Sequence, residues 1–226
     1  LEGGLFRLLS VLDGDGMDAV VKGDGVGTIF HLAAILSAAG EKNPDLCQRV
    51  NVGGMTNVLE TAMNNDLRVY APSSIAVFGP DAPKIAAQDS SLNPTTTYGE
   101  TKRTGEALAG EYLTSFGVDC RGIRYPGLVS WQAPAGGGTT DYAVEIFHAA
   151  LEKGHYECFV GPDTRLPMMY IDDAIRATLE LMDAPAESLG PSRAGYNVSG
   201  ISFTALELAD AIAERIDGFT CDFVPD

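Results

Sequence analysis

Short apolar runs alternate along this chain with longer segments of helical periodicity, and this alternation restricts the fold more than any other feature. Apolar runs predict strands at residues 28–34, 67–74 and 118–130. Helical periodicity between them predicts helices over 51–64 and 95–117. Connections of this length in a β-α-β-α-β order indicate an α/β fold, with a parallel sheet covered by helices on both faces.

Ligands of such folds bind at the carboxyl ends of the parallel strands. The three predicted strands reach this edge with small or polar residues, namely Ala33 and Ala34, Ser73 and Ser74, and Tyr125 and Pro126. We therefore expect these strand ends to line one crevice, in which small residues let a flat cofactor approach the backbone.

The stretch YGETK carries a phenol and an ammonium one helical turn apart, at Tyr98 and Lys102. Residues four apart lie on the same face of a helix, so both side chains can point into the crevice. A phenol has a pKa near ~10 and is a poor base at neutral pH, but a nearby cation stabilises the phenolate. Two exposed residues on a solvated helix face are the alternative. Thr95 to Thr97 provide the caps of this helix and Gly117 its stop.

Composition excludes several classes of function. The 226 residues contain 15 basic and 31 acidic side chains, a net charge of −16, which disfavours nucleic acid and anionic membranes as partners. No apolar run approaches the ~20 residues that span a bilayer, and the first residues lack the features of a signal peptide. The widely spaced cysteines, none in a CxxC pair, predict reduced thiols in a cytoplasmic protein: Cys47, Cys120, Cys158 and Cys221.

Five motifs in this order resemble the extended short-chain dehydrogenase/reductases, which include sugar-nucleotide epimerases and dehydratases: TIFHLAA, NVGGMTNVLE, APSSIAVFGP, YGETK and IRYPGLVS. The resemblance implies a catalytic set of Ser74, Tyr98 and Lys102. Tyr98 would be the general acid or base, Ser74 would hold the substrate oxygen, and Lys102 would lower the Tyr98 pKa and hold the nicotinamide ribose.

The same resemblance implies a Rossmann-like fold and NAD as the cofactor. It predicts a partial dinucleotide-binding domain over 1–128 and a smaller substrate-binding lobe over 129–226, with a segment near 168–182 returning to the first domain. The implied cofactor-binding residues are Val11, Leu32, Ala33, Ala34, Asn51, Tyr98, Lys102, Tyr125, Pro126 and Leu128. From the residues alone, Asn51 is as readily a helix N-cap.

Within this family the segments 33–44, 124–151 and 164–182 resemble the short-chain type of L-threonine 3-dehydrogenase. This branch implies oxidation of L-threonine at its 3-hydroxyl to 2-amino-3-oxobutyrate, in threonine catabolism. The glycines of AGGGTTDYA allow close backbone approach, and its polar residues suit an amino-acid substrate. Candidate substrate contacts are Ser37, Ser74, Thr139, Thr140 and Asp141. A flexible loop with a threonine cap, and a simple turn at Ser37, are the alternatives.

One departure from the family concerns the glycine-rich phosphate loop between a first strand and first helix. The chain has no such GxxGxxG motif, and residues 8–21 instead resemble the third strand and the next helix, with Val11 offering its backbone. We therefore expect a first βαβ unit to be missing from this sequence, supplied by a partner, or lost in an inactive relative. The fragment itself is expected to bind the dinucleotide weakly.

Several further expectations concern alternatives and partners. A sugar-nucleotide enzyme would need phosphate-pairing arginines in the second lobe, and only Arg165 and Arg193 are roughly placed. A non-catalytic relative would have no need of the catalytic set.

No histidine has metal-ligand spacing, and His31 is expected to pack in the core. A homodimer is expected through the Tyr98 helix, with a monomer as the competing interpretation; its apolar residues are Ala107, Leu108, Tyr112 and Leu113.

Overall fold

The structure is a computed structural model that describes residues 6–132 and 134–225. In the first half of the chain the elements are, in order, α1 (Gly14–Asp24), β1 (Thr28–Phe30), α2 (Ser37–Lys42), α3 (Pro44–Gln48), α4 (Gly54–Asn65), β2 (Arg68–Tyr70), β3 (Ser73–Ser74), α5 (Thr97–Phe116) and β4 (Cys120–Arg121). The second half contains β5 (Ile123–Tyr125), β6 (Gly127–Val129), α6 (Tyr142–Lys153), β7 (His155–Cys158), β8 (Arg165–Tyr170), α7 (Ile171–Asp183), β9 (Tyr196–Asn197), β10 (Ile201–Thr204), α8 (Ala205–Ala213) and β11 (Thr220–Phe223).

Parallel strands form the frame of the candidate site, which confirms the predicted fold class. Strands β1, β2 and β4 pair in that order, and β3, β5 and β9 form a second parallel set. The register aligns Ser73 with Arg124 and Ser74 with Tyr125. Two polar strand ends therefore lie side by side, as the alternation of apolar runs predicts.

The predicted strands are longer than the observed ones. The run 28–34 ends as a strand at Phe30, the run 67–74 divides into β2 and β3, and the third divides into β4, β5 and β6. Gly122 lies at the break between β4 and β5, where only glycine fits, since a Cβ there would lie 2.4 Å from the carbonyl oxygens of Ala71 and Ala194. Pro126, which has no N–H to donate, separates β5 from β6.

The start of the chain also differs from expectation. Residues 6–10 form no strand, although the segment 8–21 resembles a strand and a helix; only the helix α1 is present. Among the described strands β1 pairs with β2 alone. Without a paired neighbour an apolar run has no ladder of hydrogen bonds to join.

Two helices position the site. Helix α5 begins and ends where predicted, because the Thr96 side chain accepts from the Gly99 N–H and Gly117 adopts a left-handed φ of 76°. The other predicted helix, 51–64, is a longer helical stretch from Pro44 to Asn65 that includes a π-helical segment at Arg49–Gly53. Its N-cap is Asn43 and not Asn51, so the N-cap interpretation of Asn51 is wrong.

Two apolar cores support these elements. One packs α1, α4 and α5 on the first sheet through residues such as Val58, Leu59 and Val69. The other lies between α6, α8 and strands β7 and β8, around Tyr142 and Ile146. The end of helix α7 is bonded to β4, since Arg121 donates to carbonyls there, including those of Leu181 and Ala184.

Neither membrane-spanning helices nor disulfides are found among the described residues. None of the helices in the described residues is long and apolar enough to cross a membrane. All four cysteines are free, and Cys47, Cys120 and Cys158 are buried. Burial raises the pKa of each thiol, to about 12 for Cys120 and about 11 for Cys221.

Candidate active site

Helix α5 presents Tyr98 and Lys102 on one face, as their spacing predicts. The Lys102 ammonium lies 5.6 Å from the centroid of the Tyr98 ring, within cation–π range. Its Nζ also donates a hydrogen bond of 2.7 Å to the carbonyl oxygen of Pro72. Lys102 therefore connects the helix to the segment that leads into β3.

Ser74 completes this group from the end of β3. Its Oγ accepts from the Ala76 N–H at 3.1 Å, which caps a single 3₁₀ turn at Ile75–Val77. Ser74 also lies near enough to Tyr98 to lower the pKa of that phenol. The structure thus brings the three expected catalytic side chains together at one strand end.

The pKa values at this site are set mainly by burial. Burial raises the pKa of Tyr98, while the Ser74 hydroxyl lowers it and the nearby Cys47 raises it further. Burial also lowers the pKa of Lys102 to about 8. The net shift of the Tyr98 pKa is upward, with burial as its largest cause, which is opposite to the expected lowering by Lys102.

Several residues expected to contact the cofactor line a small cavity of about 30 Å³ beside Lys102. It is lined by small or apolar residues that include Ala33, Ala34 and Ala71, and by Asn51 and Lys102. His31, which is expected to pack in the core, is half-buried and also lines this cavity. Burial and the charge of Lys102 lower the pKa of His31 to about 4, so this imidazole is neutral at pH 7.

Both polar atoms of the Asn51 side chain make hydrogen bonds within the chain. Its Oδ1 accepts from the Ile35 N–H at 2.7 Å, and its Nδ2 donates to the Ile35 carbonyl and to Thr101 Oγ1, each at 3.0 Å. Thr101 in turn donates to the Tyr98 carbonyl. Asn51 therefore ties the loop after β1 to helix α5, next to the cavity that Lys102 lines.

The other expected cofactor contacts are distributed around this region. The Val11 carbonyl accepts from Asn57 Nδ2, and the side chain of Leu32 is exposed. Pro126 is buried and Leu128 half-buried. Tyr125 directs its hydroxyl to Tyr70 and Thr178. Its phenol therefore joins β2, β5 and α7, and only its backbone is left for a cofactor at the strand end.

The expected substrate loop lies across a wider cavity of about 730 Å³, whose lining includes Ser37, Thr139 and Asp141. Asp141 accepts from the N–H groups of Gly137 and Gly138, at 2.5 and 2.6 Å, and Gly137 has a left-handed φ of 96°. Asp141 thus shapes the loop. Asp141 is the N-cap residue of helix α6, but neither its side chain nor a threonine side chain makes a capping hydrogen bond there.

Ser37 and Thr140, two of the expected substrate residues, differ in what they contact. Ser37 Oγ donates to the Gly137 carbonyl at 3.4 Å, which links helix α2 to the glycine loop. Thr140 packs against Gly127, where a Cβ would lie 2.7 Å from the threonine Cβ. Ser37 and Thr139 line the cavity, and Thr140 faces strand β6.

Sequence reasoning missed Glu41. Its carboxylate accepts from Thr97 Oγ1 at 3.2 Å and from the Tyr98 N–H at 3.4 Å, at the N-terminus of the catalytic helix. A carboxylate is favoured there by the helix dipole. The only signal in the sequence is that Glu41 stands four residues after Ser37, on the same face of a short helix.

The chain belongs to the NAD dependent epimerase/dehydratase family, whose model matches residues 5–199. This agrees with the parallel sheet and with the grouping of a serine, a tyrosine and a lysine at a strand end. NAD is the cofactor that membership of this family implies.

Within the family the chain is similar to threonine dehydrogenases. It is 45% identical over 214 residues to the bovine protein named L-threonine 3-dehydrogenase, mitochondrial. A solved monomeric L-threonine 3-dehydrogenase from a metagenome database, in apo form, has 51% identity and a TM-score of 0.94 over 100% of this chain and 74% of that one. The L-threonine dehydrogenase of Cupriavidus necator in its holo form has 45% identity and a TM-score of 0.95, with 100% and 75% coverage.

The alignment with the bovine relative covers 94% of this chain and 57% of the bovine protein. The chain therefore spans less than two thirds of that relative's length.

Proposed function

We propose that the whole protein oxidises L-threonine at its 3-hydroxyl to 2-amino-3-oxobutyrate with NAD as the hydride acceptor. The observation that carries this proposal is the grouping of Ser74, Tyr98 and Lys102 at one strand end. Similarity to several threonine dehydrogenases supports the choice of substrate. The product is a β-keto acid that loses carbon dioxide readily.

Each of the three side chains has a distinct part in this reaction. Tyr98 takes the proton of the substrate hydroxyl, and Ser74 hydrogen-bonds to the same oxygen. Lys102, held by the Pro72 carbonyl, provides a positive charge beside Tyr98. When bound, NAD supplies the site that accepts a hydride from the substrate carbon.

The residues at the crevice fit a dinucleotide. Ala33 and Ala34 are small residues at the strand end, which lets a flat ring approach the backbone, and Lys102 lines the same cavity. We propose that the backbones of Tyr125, Pro126 and Leu128 complete the nicotinamide site, with Val11, Leu32 and Asn51 lining its other side.

The wider cavity supports an amino-acid substrate. Its lining includes the carboxylates Glu41, Asp141 and Glu145, and among the described residues it contains no lysine or arginine. Such surroundings favour an ammonium group and disfavour a diphosphate. We propose Ser37, Ser74, Thr139 and Thr140 as the residues that orient the substrate.

A sugar nucleotide is less well supported, because both candidate arginines already have partners. Arg165 pairs with Glu207 at a distance of 2.5 Å. Arg193 pairs with Asp119 and donates to the carbonyls of Ala186 and Leu189. Recruiting either arginine to a diphosphate would require breaking these contacts.

We also propose a cytoplasmic location, a homodimer and a division of the chain into two lobes after Leu128. Free thiols agree with the location. On helix α5, Phe116 is 57% exposed and offers an apolar contact for a second copy. Leu108 and Tyr112 pack internally instead, and a solved relative is described as monomeric. Light scattering coupled to size exclusion decides between dimer and monomer.

The test of the proposed function is NADH formation by the full-length protein from L-threonine, with D-threonine, L-serine and UDP-sugars as comparisons. L-Threonine should be the preferred substrate. Because burial raises the pKa of Tyr98, the phenolate forms at alkaline pH, so we expect the rate to rise with pH. Turnover of a UDP-sugar without turnover of L-threonine would refute the proposal.

A further inference from the structure

A buried ion pair lies one helical turn beyond Lys102. Glu106 and Arg124 are bidentate partners: Nε lies 2.9 Å from Oε1, and Nη2 lies 2.7 Å from Oε2. Their side chains are only 11% and 7% exposed. Glu106 stands four residues after Lys102 and eight after Tyr98, on the same face of α5.

The ion pair has a direct connection to the residue next to Ser74. Ser73 Oγ donates to Glu106 Oε1 at 2.6 Å, and Ser73 is aligned with Arg124 in the parallel ladder of β3 and β5. One turn earlier, Lys102 donates to the carbonyl of Pro72. Two consecutive turns of the helix are thus bonded to two consecutive residues, Pro72 and Ser73, directly before Ser74.

Arg124 has further partners that hold it in place. Its Nη1 donates to the Gln88 carbonyl and to Asn197 Oδ1, at 3.2 and 3.1 Å, and its guanidinium lies 5.4 Å from the centroid of Phe78. Gln88 and Asn197 are themselves bonded to each other. The orientation of the guanidinium, and with it the position of the Glu106 carboxylate, is therefore set from several sides.

Stability alone gives little reason for this arrangement. The cost of desolvating two charges is comparable to the attraction between them, and replacing such a pair by apolar residues is often neutral. The specific gain is geometric, because a bidentate pair holds both partners at a fixed distance and angle.

We propose that Glu106, held by Arg124, is a positioning residue that fixes the register between helix α5 and strand β3, and so sets the distance from Ser74 to Tyr98. This inference rests on the proposed dehydrogenase function. Glu106 acts through Ser73 and does not touch the substrate. Catalysis is sensitive to such a distance, since a misplacement of about 1 Å can cost ~100-fold in rate.

The experiment compares Glu106→Gln with Asp119→Asn in the full-length protein. Asp119 and Arg121 form a similar pair, with side chains 16% and 2% exposed, but Arg121 binds the end of α7. We expect Glu106→Gln to lower kcat by roughly 10- to 100-fold with KM changed less than about 3-fold. We expect Asp119→Asn to leave kcat, per folded molecule, within about 2-fold of wild type.

Two additional measurements keep the inference testable. Ser73→Ala removes only the connecting hydroxyl and should lower kcat in the same direction if Glu106→Gln does not fold. Crystal structures of the wild type and either variant should show a changed separation between Ser74 Oγ and the Tyr98 hydroxyl oxygen. This second readout needs no substrate, so it stays decisive even if the wild type does not oxidise L-threonine. An unchanged separation, or equal losses of kcat in Glu106→Gln and Asp119→Asn, would overturn the inference.

Discussion

In the proposed site, one wall is the capped helix that carries Tyr98 and Lys102 and is bonded to a strand end, whereas the other is a loop that contains three consecutive glycines. On the helical wall most polar side chains are at least half-buried and bonded, as Lys102 is to Pro72 and Asn51 to Ile35. On the loop wall Gly137 and Thr139 are exposed, and Asp141 bonds mainly to local amides. The comparison suggests that chemistry is placed on the rigid wall and substrate recognition on the adaptable one.

Removing the phenol hydroxyl from the rigid wall should have the largest effect. Tyr98→Phe keeps the ring against Lys102 but cannot take a proton, so we expect kcat/KM to fall by about 1,000-fold or more. Steady-state kinetics of NADH formation measure the loss. Thermal melting of the same variant should stay close to wild type, and turnover within 10-fold of wild type would contradict the assignment of Tyr98 as general base.

The buried ammonium of Lys102 should lower the free energy of unfolding. Its pKa in the folded chain is about 8 against 10.5 for an ordinary lysine. Below pH 8 both states are protonated and the buried charge is destabilising, by at most on the order of 3 kcal/mol. As pH rises from 8 to 10.5 the unfolded state binds more protons, so the cost disappears.

We therefore expect Lys102→Met to unfold at higher denaturant concentration than wild type at pH 7, with the gain reduced by about 1 kcal/mol for the lost bond to Pro72. The gain should shrink toward pH 10.5, while turnover is lost at every pH. Urea titrations at several pH values measure this difference. A Lys102→Met variant less stable than wild type at pH 7 would indicate that the ammonium is not desolvated.

Changes on the loop wall should affect substrate binding more than chemistry. Thr139→Val keeps the shape of the side chain and removes its hydroxyl, and we expect KM for L-threonine to rise by about 10-fold with kcat changed less. Thr140→Val is the comparison within the loop: because Thr140 packs against Gly127, we expect a smaller rise of KM than for Thr139→Val. An equal rise of KM in both variants would mean that the loop acts as a unit; a fall in kcat alone would place Thr139 with the chemical groups.

Removing the N-cap of the helix on the rigid wall should have the smallest effect. Thr96→Ala removes the acceptor for the Gly99 N–H and should lower the free energy of unfolding by about 1 kcal/mol. Denaturant titration measures the loss. Thr95→Ala, which removes no cap, should be within about 0.5 kcal/mol of wild type. Equal free energies of unfolding for the two variants would mean that the cap contributes nothing measurable to stability.

The sequence was sufficient for features that depend on local order. Apolar alternation predicted the parallel strands, the spacing of Tyr98 and Lys102 predicted their shared face, and Thr96 and Gly117 marked the ends of α5. Each of these depends on residues that are neighbours in the chain or separated by one turn.

Features that depend on contacts between distant segments were not predicted. The π-helical segment at Asn51 arises where its amide bonds to Ile35 and Thr101, 16 and 50 residues away. Glu41 meets the N-terminus of α5 from 57 residues away. The bond between Ser73 and Glu106 follows from a register that no periodicity specifies. Burial then reversed the expected direction of the Tyr98 pKa.

Three buried cysteines report on the unfolding of this protein. Because thiolates and not thiols react with alkylating reagents, raised pKa values and burial make Cys47, Cys120 and Cys158 unreactive while the chain is folded. Unfolding exposes them to solvent in both cores and at the site. The order in which iodoacetamide labels these positions therefore records which part of the molecule opens first.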